Sequence, residues 1–345
     1  MVKENPRDRI LELDILRGLA AFAVVLFHYT VRFDQEYSHV QDIRFHFWPG
    51  QYGVHLFFMI SGFVIFMTLD RTKHWLDFVV SRFSRLFPAY WLGVCLTFLA
   101  TSVAGLAIHQ VSLTDAVINL SMLQSLFYVP DVDGVYWTLI LELCFYVLIF
   151  MLHRARLLPF VNRIIVGWLL LQVAAYALHN VFHVVVPDRL ETVLLLRYAH
   201  LFAAGIMFYK IWKEGASIAW YATVFACLGV HWVLYDFKSF AAVALFFVVF
   251  YFAINGYMRR LVCRPLVFLG TISYTLYLIH QNVGYIILNW MYTFRLNPYV
   301  NIATTIVAVV GLASAMTFLV ERPALKMIRT QYKKIRYGYP PTGAG

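Results

Sequence analysis

Three titratable side chains stand inside otherwise apolar stretches of this chain. They are His28 in ILRGLAAFAVVLFHYTV, Glu142 in WTLILELCFYV and His280 in SYTLYLIH. An imidazole titrates near neutrality and can accept a proton, while a carboxylate can orient the ring or balance its charge. His28 and Glu142 are therefore the catalytic candidates. On a helix, Ser273, Tyr277 and His280 share one face at i, i+4 and i+7. Arg17 and His28 also share a face, because eleven residues make three turns plus about 20°. His28 then lies roughly 16 Å along the axis from Arg17. Asp14 sits three residues before Arg17, where it can pair with it. Arg197 and His200 fall in a later apolar stretch and point to the same region. Asp14, Arg197, Ser273, Tyr277 and His280 are thus read as lining a polar channel. Each histidine taken singly is as well explained as a helix–helix hydrogen bonder, and an ion or proton pathway would use the same residues.

A second group lies in DRTKHWLDFVVSRFSRLFPAYW, where Arg82 and Arg85 stand one helical turn apart before Pro88. A guanidinium grips phosphate in a bidentate fork. The pair fits a phosphorylated ligand, or ordinary basic charge at a membrane edge. Cys95, Cys144, Cys227 and Cys263 are far apart and show no metal-ligand spacing, so no metal site is expected.

The elements that must carry these residues follow from composition. The 345 residues are 61% hydrophobic and 13% charged, with a mean hydropathy of +0.70, whereas soluble domains are about a quarter charged. An ordinary soluble domain, a disordered tail and a disulfide-stapled module are excluded. Apolar windows fall near 13–32, 53–69, 88–110, 137–152, 161–179, 192–211, 217–234, 239–255, 266–290 and 299–320. The expected fold is all-α, a polytopic bundle of about ten transmembrane helices of roughly 20 residues each. The third is expected to open at Pro88, since proline suits a helix start. Counted from these ends, His28, Glu142 and His280 share one depth, about 21–22 Å from one membrane face.

Of the 28 Lys and Arg residues, 21 fall on one alternating set of connections and termini and five on the other. The positive-inside rule then puts both termini in the cytoplasm. It also explains the net charge of +10 without nucleic acid. No small-residue cleavage site follows the first span, so it is expected to be retained. Residues 1–330 read as one transmembrane domain, and 331–345 as a short basic helix followed by a disordered end. No paired half-helix breaks of the kind transporters use are evident.

Taken in order, these segments resemble the acyltransferase-3 family of integral membrane acyltransferases. The resemblance runs from about residue 11 to 329. It is carried by Arg17 and His28 in the first span, GVHLFFMISGFVI, RFSRLFPAYW, WTLILELCFYVLIF, LFAAGIMFY, SYTLYLIH and VERPALK. It implies transfer of an acyl group, usually acetyl, from cytosolic acyl-coenzyme A. The usual acceptor is a hydroxyl on an extracytoplasmic carbohydrate, such as a surface polysaccharide or lipid-linked precursor. Acyl-coenzyme A would be a cosubstrate, with no permanently bound cofactor. Arg17, Arg82 and Arg85 would hold the donor, His28 would act as general base, and Glu142 would orient it. The site implied is multi-pass in a plasma (inner) membrane. No hydrolase-like domain follows the last span, so a stand-alone form is expected. One departure is His55, at a position often acidic in relatives, which is assigned to the channel. Acceptor specificity is expected in 33–52, 111–136, 180–191 and 291–298, which carry acids such as Asp42, Asp131, Asp188 and Glu191. The competing readings are a transporter or flippase of a glycolipid or ion, a succinyl or longer donor, and a small-molecule acceptor. Oligomeric state is not legible.

Overall fold

The computed structural model describes residues 10–39, 43–72, 74–104 and 110–338. Asp42 and the expected disordered end from 339 lie outside them. The described residues are helical, with no strand among them. The helices are α1 Leu11–Phe27, α2 Phe33–Tyr37, α3 Gly53–Asp70, α4 Trp75–Ala104, α5 Leu113–Asn119, α6 Trp137–Arg154, α7 Val161–Asn180 and α8 Asp188–Val193. They continue as α9 Ala199–Glu214, α10 Ile218–Leu234, α11 Phe237–Ile254, α12 Arg264–Ile279, α13 Asn282–Tyr292, α14 Pro298–Met316 and α15 Arg322–Tyr337.

All ten expected passes are represented by helix. Among the described residues, six helical stretches are long and apolar enough to cross a membrane: 48–70, 75–104, 134–154, 158–180, 237–254 and 298–337. The helices Ile218–Leu234 and Arg264–Ile279 are apolar but shorter. The first pass carries Glu12, Asp14 and Arg17 near its start. The sixth, α9, is buried at every position from Ala199 to Tyr209. A helix enclosed by protein on all sides need not match the thickness of lipid, and α9 forms the centre of the bundle.

Two helix pairs form the frame. At the α3–α9 crossing, a Cβ on Gly62 would stand 2.1 Å from the carbonyl oxygen of Phe202, and one on Gly205 would stand 2.1 Å from that of Met59. At the α1–α12 crossing, a Cβ on Gly270 would stand 2.1 Å from the Asp14 oxygen, and one on Gly18 would stand 2.5 Å from the Gly270 nitrogen. Only glycine lets these backbones touch, and small-residue contacts of this kind are the usual means of packing helices in lipid. The α1–α12 contact brings the helix of His28 against the helix of His280.

Four boundaries differ from the sequence expectation. Pro88 does not open the third span but lies inside α4, so Arg82 and Arg85 are on the helix rather than in a flanking loop. Neighbouring helices can re-satisfy backbone groups near such a proline, and the Tyr274 hydroxyl donates to Leu86 O at 2.9 Å. The first pass does not end at 32. It widens into a π-helical turn over His28–Arg32 and continues through α2. The stretch expected as one span over 192–211 is α8, a turn and then α9, with Leu195 at a φ of 56°, so Arg197 lies on the turn. The stretch 266–290 breaks between α12 and α13. The groups freed there find partners. Tyr29 donates to the His280 carbonyl at 2.7 Å, the Asn282 N–H donates to Asp133 Oδ2 at 3.1 Å, and the Asn282 side chain donates to Val132 O at 2.9 Å.

The tenth pass runs without interruption from Pro298 to Tyr337. Its last part, α15, docks on α4. Arg329 donates to Ser84 Oγ at 3.1 Å and Tyr332 to Asp77 at 2.8 Å.

Candidate active site

The π turn and the α12–α13 break put two imidazoles edge to face, with ring centroids 4.7 Å apart at 85°. His28 Nδ1 lies 2.9 Å from Val24 O, and His280 Nδ1 lies 2.8 Å from Tyr277 O. A carbonyl oxygen can only accept, so both rings carry their proton on Nδ1. His280 Nε2 is then an acceptor, 3.3 Å from His28 Nδ1, and shares that proton with Val24 O. His28 Nε2 keeps its lone pair and has no hydrogen-bond partner among the described residues. His280 is fully buried and His28 is partly open.

Glu142 makes no hydrogen bond to His28, contrary to the orienting role expected for it. Its Oε1 accepts from Ser61 at 3.0 Å and from Tyr146 at 2.5 Å. It lines a cavity of about 50 Å³ with Arg17, Ser61, Thr138, Ser273, Tyr274 and Tyr277. Tyr277 joins this cavity to the histidine pair. Its hydroxyl is 2.9 Å from Thr138 Oγ1, and its ring centroid is 5.5 Å from that of His280. Arg17 turns into the cavity, and Asp14 supplies the carbonyl against which Gly270 packs.

Arg85 is not a bare clamp. It forms an ion pair with Glu321, which is 1% exposed, and lies 5.6 Å from the Tyr274 ring centroid. Arg82 lies 5.9 Å from the centroid of Tyr146 and donates to Ser81 Oγ at 3.2 Å. Its Nε is buried and has no partner. Arg17 and Arg82 are both within electrostatic range of Arg85. Three guanidiniums, Arg17, Arg82 and Arg85, thus gather near the carboxylates of Glu142 and Glu321.

Two expected channel residues lie elsewhere. His55 points to a separate group, with its ring centroid 5.6 Å from that of His231. His200 belongs to the same group, 2.8 Å from His231. Arg197 is exposed and pairs with Glu191 at 2.9 Å. Ser273 and Tyr277 do line the cavity. Sequence reasoning assigned no role to Ser61, Thr138, Tyr146, Tyr274 or Glu321. All five stand within the stretches that carry the resemblance: Ser61 in GVHLFFMISGFVI, Thr138 and Tyr146 in WTLILELCFYVLIF, Tyr274 in SYTLYLIH and Glu321 in VERPALK.

Beside the histidine pair, the connection before α6 folds back onto the break. Asp133 caps α13, and Asp131 accepts from Gln124 at 2.6 Å. Burial pushes the Asp131 carboxyl up to about 6, against that hydrogen bond.

The site is thus a histidine pair beside a cavity lined by Arg17 and Glu142, set within a polytopic helical bundle. The family model described as "Acyltransferase domain" matches residues 10–320, and the chain belongs to that acyltransferase-3 family. It is 29% identical over 264 residues to "Exopolysaccharide production protein ExoZ" of Rhizobium meliloti (strain 1021), covering 68% of this chain and 77% of the relative. It is 24% identical over 299 residues to "Putative acetyltransferase ORF330" of Acidianus two-tailed virus, covering 81% of this chain and 84% of the relative. No solved structure matches the chain.

Proposed function

We propose that this protein moves an acyl group, acetyl in the first instance, from acyl-coenzyme A to a hydroxyl of a carbohydrate on the far side of the membrane. The observation that carries the reading is the fixed Nδ1–H tautomer of His28, which leaves Nε2 as a base with no competing partner. His28 Nε2 takes the proton of the acceptor hydroxyl as its oxygen attacks the thioester carbonyl. The carbon–sulfur bond breaks, and the leaving thiolate recovers the proton from the imidazolium. His280, through its lone pair on His28 Nδ1–H, holds the ring in register and spreads the positive charge that forms.

Arg17, Arg82 and Arg85 suit the donor. The buried Arg82 Nε, without a partner among the described residues, and the clustering of three guanidiniums favour a polyanion such as the coenzyme A phosphates. The distribution of basic residues supports a cytosolic position for this end and for both termini. A cavity of about 50 Å³ holds a water or two, so the donor arm enters only as the helices around Glu142 part. The name of the exopolysaccharide production protein supports a polysaccharide acceptor.

The test is transfer from labelled acetyl-coenzyme A to carbohydrate by the purified protein. Wild type should label the carbohydrate, and His28→Ala should not, while keeping its thermal transition. Undiminished transfer by His28→Ala would overturn the mechanism.

A further inference from the structure

We infer that a second pocket, behind α6, is a subsite for one sugar residue of a chain-like acceptor, distinct from the residue that is acylated. This rests on the carbohydrate reading above. The pocket has a volume of about 420 Å³ and is lined by Trp137, Asp188, Glu191, Thr192, Arg197 and Tyr198, among others. That volume lies in the range of small-ligand sites.

The lining has the chemistry of sugar recognition. A pyranose ring has an apolar face of C–H bonds and an edge of hydroxyls. The Trp137 and Tyr198 rings, with centroids 5.7 Å apart and inclined at 39°, form an angled aromatic wall. Trp137 is 37% exposed, open enough to receive the apolar face of a ring. Opposite it, Glu191 is held in one orientation by Arg197 at 2.9 Å. Asp188 stands on the first turn of α8. Two carboxylates against one guanidinium favour a neutral, hydroxyl-rich ring over an anion. A lipid tail would offer no hydrogen bonds to these polar and charged groups.

Its position fixes its role. Along α6, Trp137, Ile140 and Leu141 face this pocket, while Thr138, Leu139 and Glu142 face the inner cavity. One helix, about 10 Å across, therefore separates the two. A ring seated here cannot present its own hydroxyl to His28. A neighbouring residue of the same chain, reaching round the start of α6, can. From Trp137 the next residue is Thr138, which bonds Tyr277, which lies against His280.

The experiment uses de-O-acylated surface polysaccharide of the source cell, size-fractionated into single sugars and short oligomers, with labelled acetyl-coenzyme A. Wild type should prefer oligomers by about tenfold or more in kcat/KM. Trp137→Ala should erase most of that preference through KM, with kcat changing less. Trp137 also packs on Phe58, so the Asp188→Asn/Glu191→Gln double variant, at the surface, serves as the second probe with the same expected loss. A wild type indifferent to length, or variants that keep the preference, would overturn the subsite. Transfer to no saccharide of any length would instead remove the carbohydrate reading, and this subsite with it.

Discussion

His28 and His280 meet where two helices lose their regular hydrogen bonding; His55, His200 and His231 meet on uninterrupted helices. In the second group Gln172 donates to His200 Nδ1 at 2.8 Å. His200 Nε2 must then carry the proton and donate to His231 Nδ1 at 2.8 Å, and His231 Nε2 donates to Ser239 at 3.0 Å. The chain runs in one direction and uses every nitrogen of both rings. His55 stands beside it with both nitrogens buried and unpartnered. In the first group, each Nδ1 is tied to a carbonyl of its own helix, and one Nε2 remains free to react. Burial alone does not make a histidine a base. What differs is that His28 keeps an unclaimed lone pair on a partly open ring with its tautomer fixed, whereas the His200 and His231 nitrogens are all engaged and the His55 ring is buried.

The widest separation between the two groups should come from paired substitutions. His28→Gln should lower transfer on the order of 10³-fold with little change in thermal unfolding. His231→Gln should keep most of the transfer and lose about 1–3 kcal/mol of stability, because His200 and Ser239 lose a buried partner. Equal loss of transfer in both, measured with labelled acetyl-coenzyme A, would break the contrast. His280→Ala should have an intermediate effect, on the order of 10²-fold in kcat with donor KM held, since it orients His28 without touching donor or acceptor.

The helix crossings extend the comparison. Gly270→Ala pushes α1 from α12, and Gly205→Ala pushes α3 from α9; overpacking of this kind costs about 1–3 kcal/mol. Both should lower the unfolding midpoint in detergent. Only Gly270→Ala should also lower kcat, because only that crossing sets the spacing of His28 and His280. The smallest effect belongs to Asp131. A carboxyl raised by burial favours the folded state at low pH, and that contribution is lost as pH rises through about 6. Asp131→Asn should therefore raise the midpoint by roughly 2 °C at pH 8 and flatten its dependence on pH. An unchanged slope would show the carboxyl to be solvated.

Much of this was legible in the residues. Apolar windows gave the ten helical passes, and helical periodicity put Ser273 and Tyr277 on the face that lines the cavity. The depth count marked His28 and His280 as neighbours in height, though not as a bonded pair. That pairing depends on a π turn and on a break at His280–Gln281 that no proline or glycine announces. The cap that starts α13 comes from Asp133, far away in sequence. Pro88 misled for the opposite reason: α4 continues through it, packed against α12, α13 and α15. Arg197 was placed in a span because TVLLL is apolar, although the chain turns there. Glu142 was assigned to His28 from shared depth and from the resemblance, and neither fixes which way a side chain points.

The histidine pair also has a consequence for biogenesis. Its members are 252 residues apart, on the first pass and the ninth, and the Arg85–Glu321 clasp ties the third pass to the tenth. A chain made from its N-terminus inserts His28 early and holds it without its partner through most of translation. The reacting imidazole gains its fixed tautomer neighbour only when the last quarter of the polypeptide arrives. On the proposed mechanism, a ribosome that stops early leaves a membrane-inserted product with most of its helices and no assembled histidine pair, and such truncated chains should be catalytically silent.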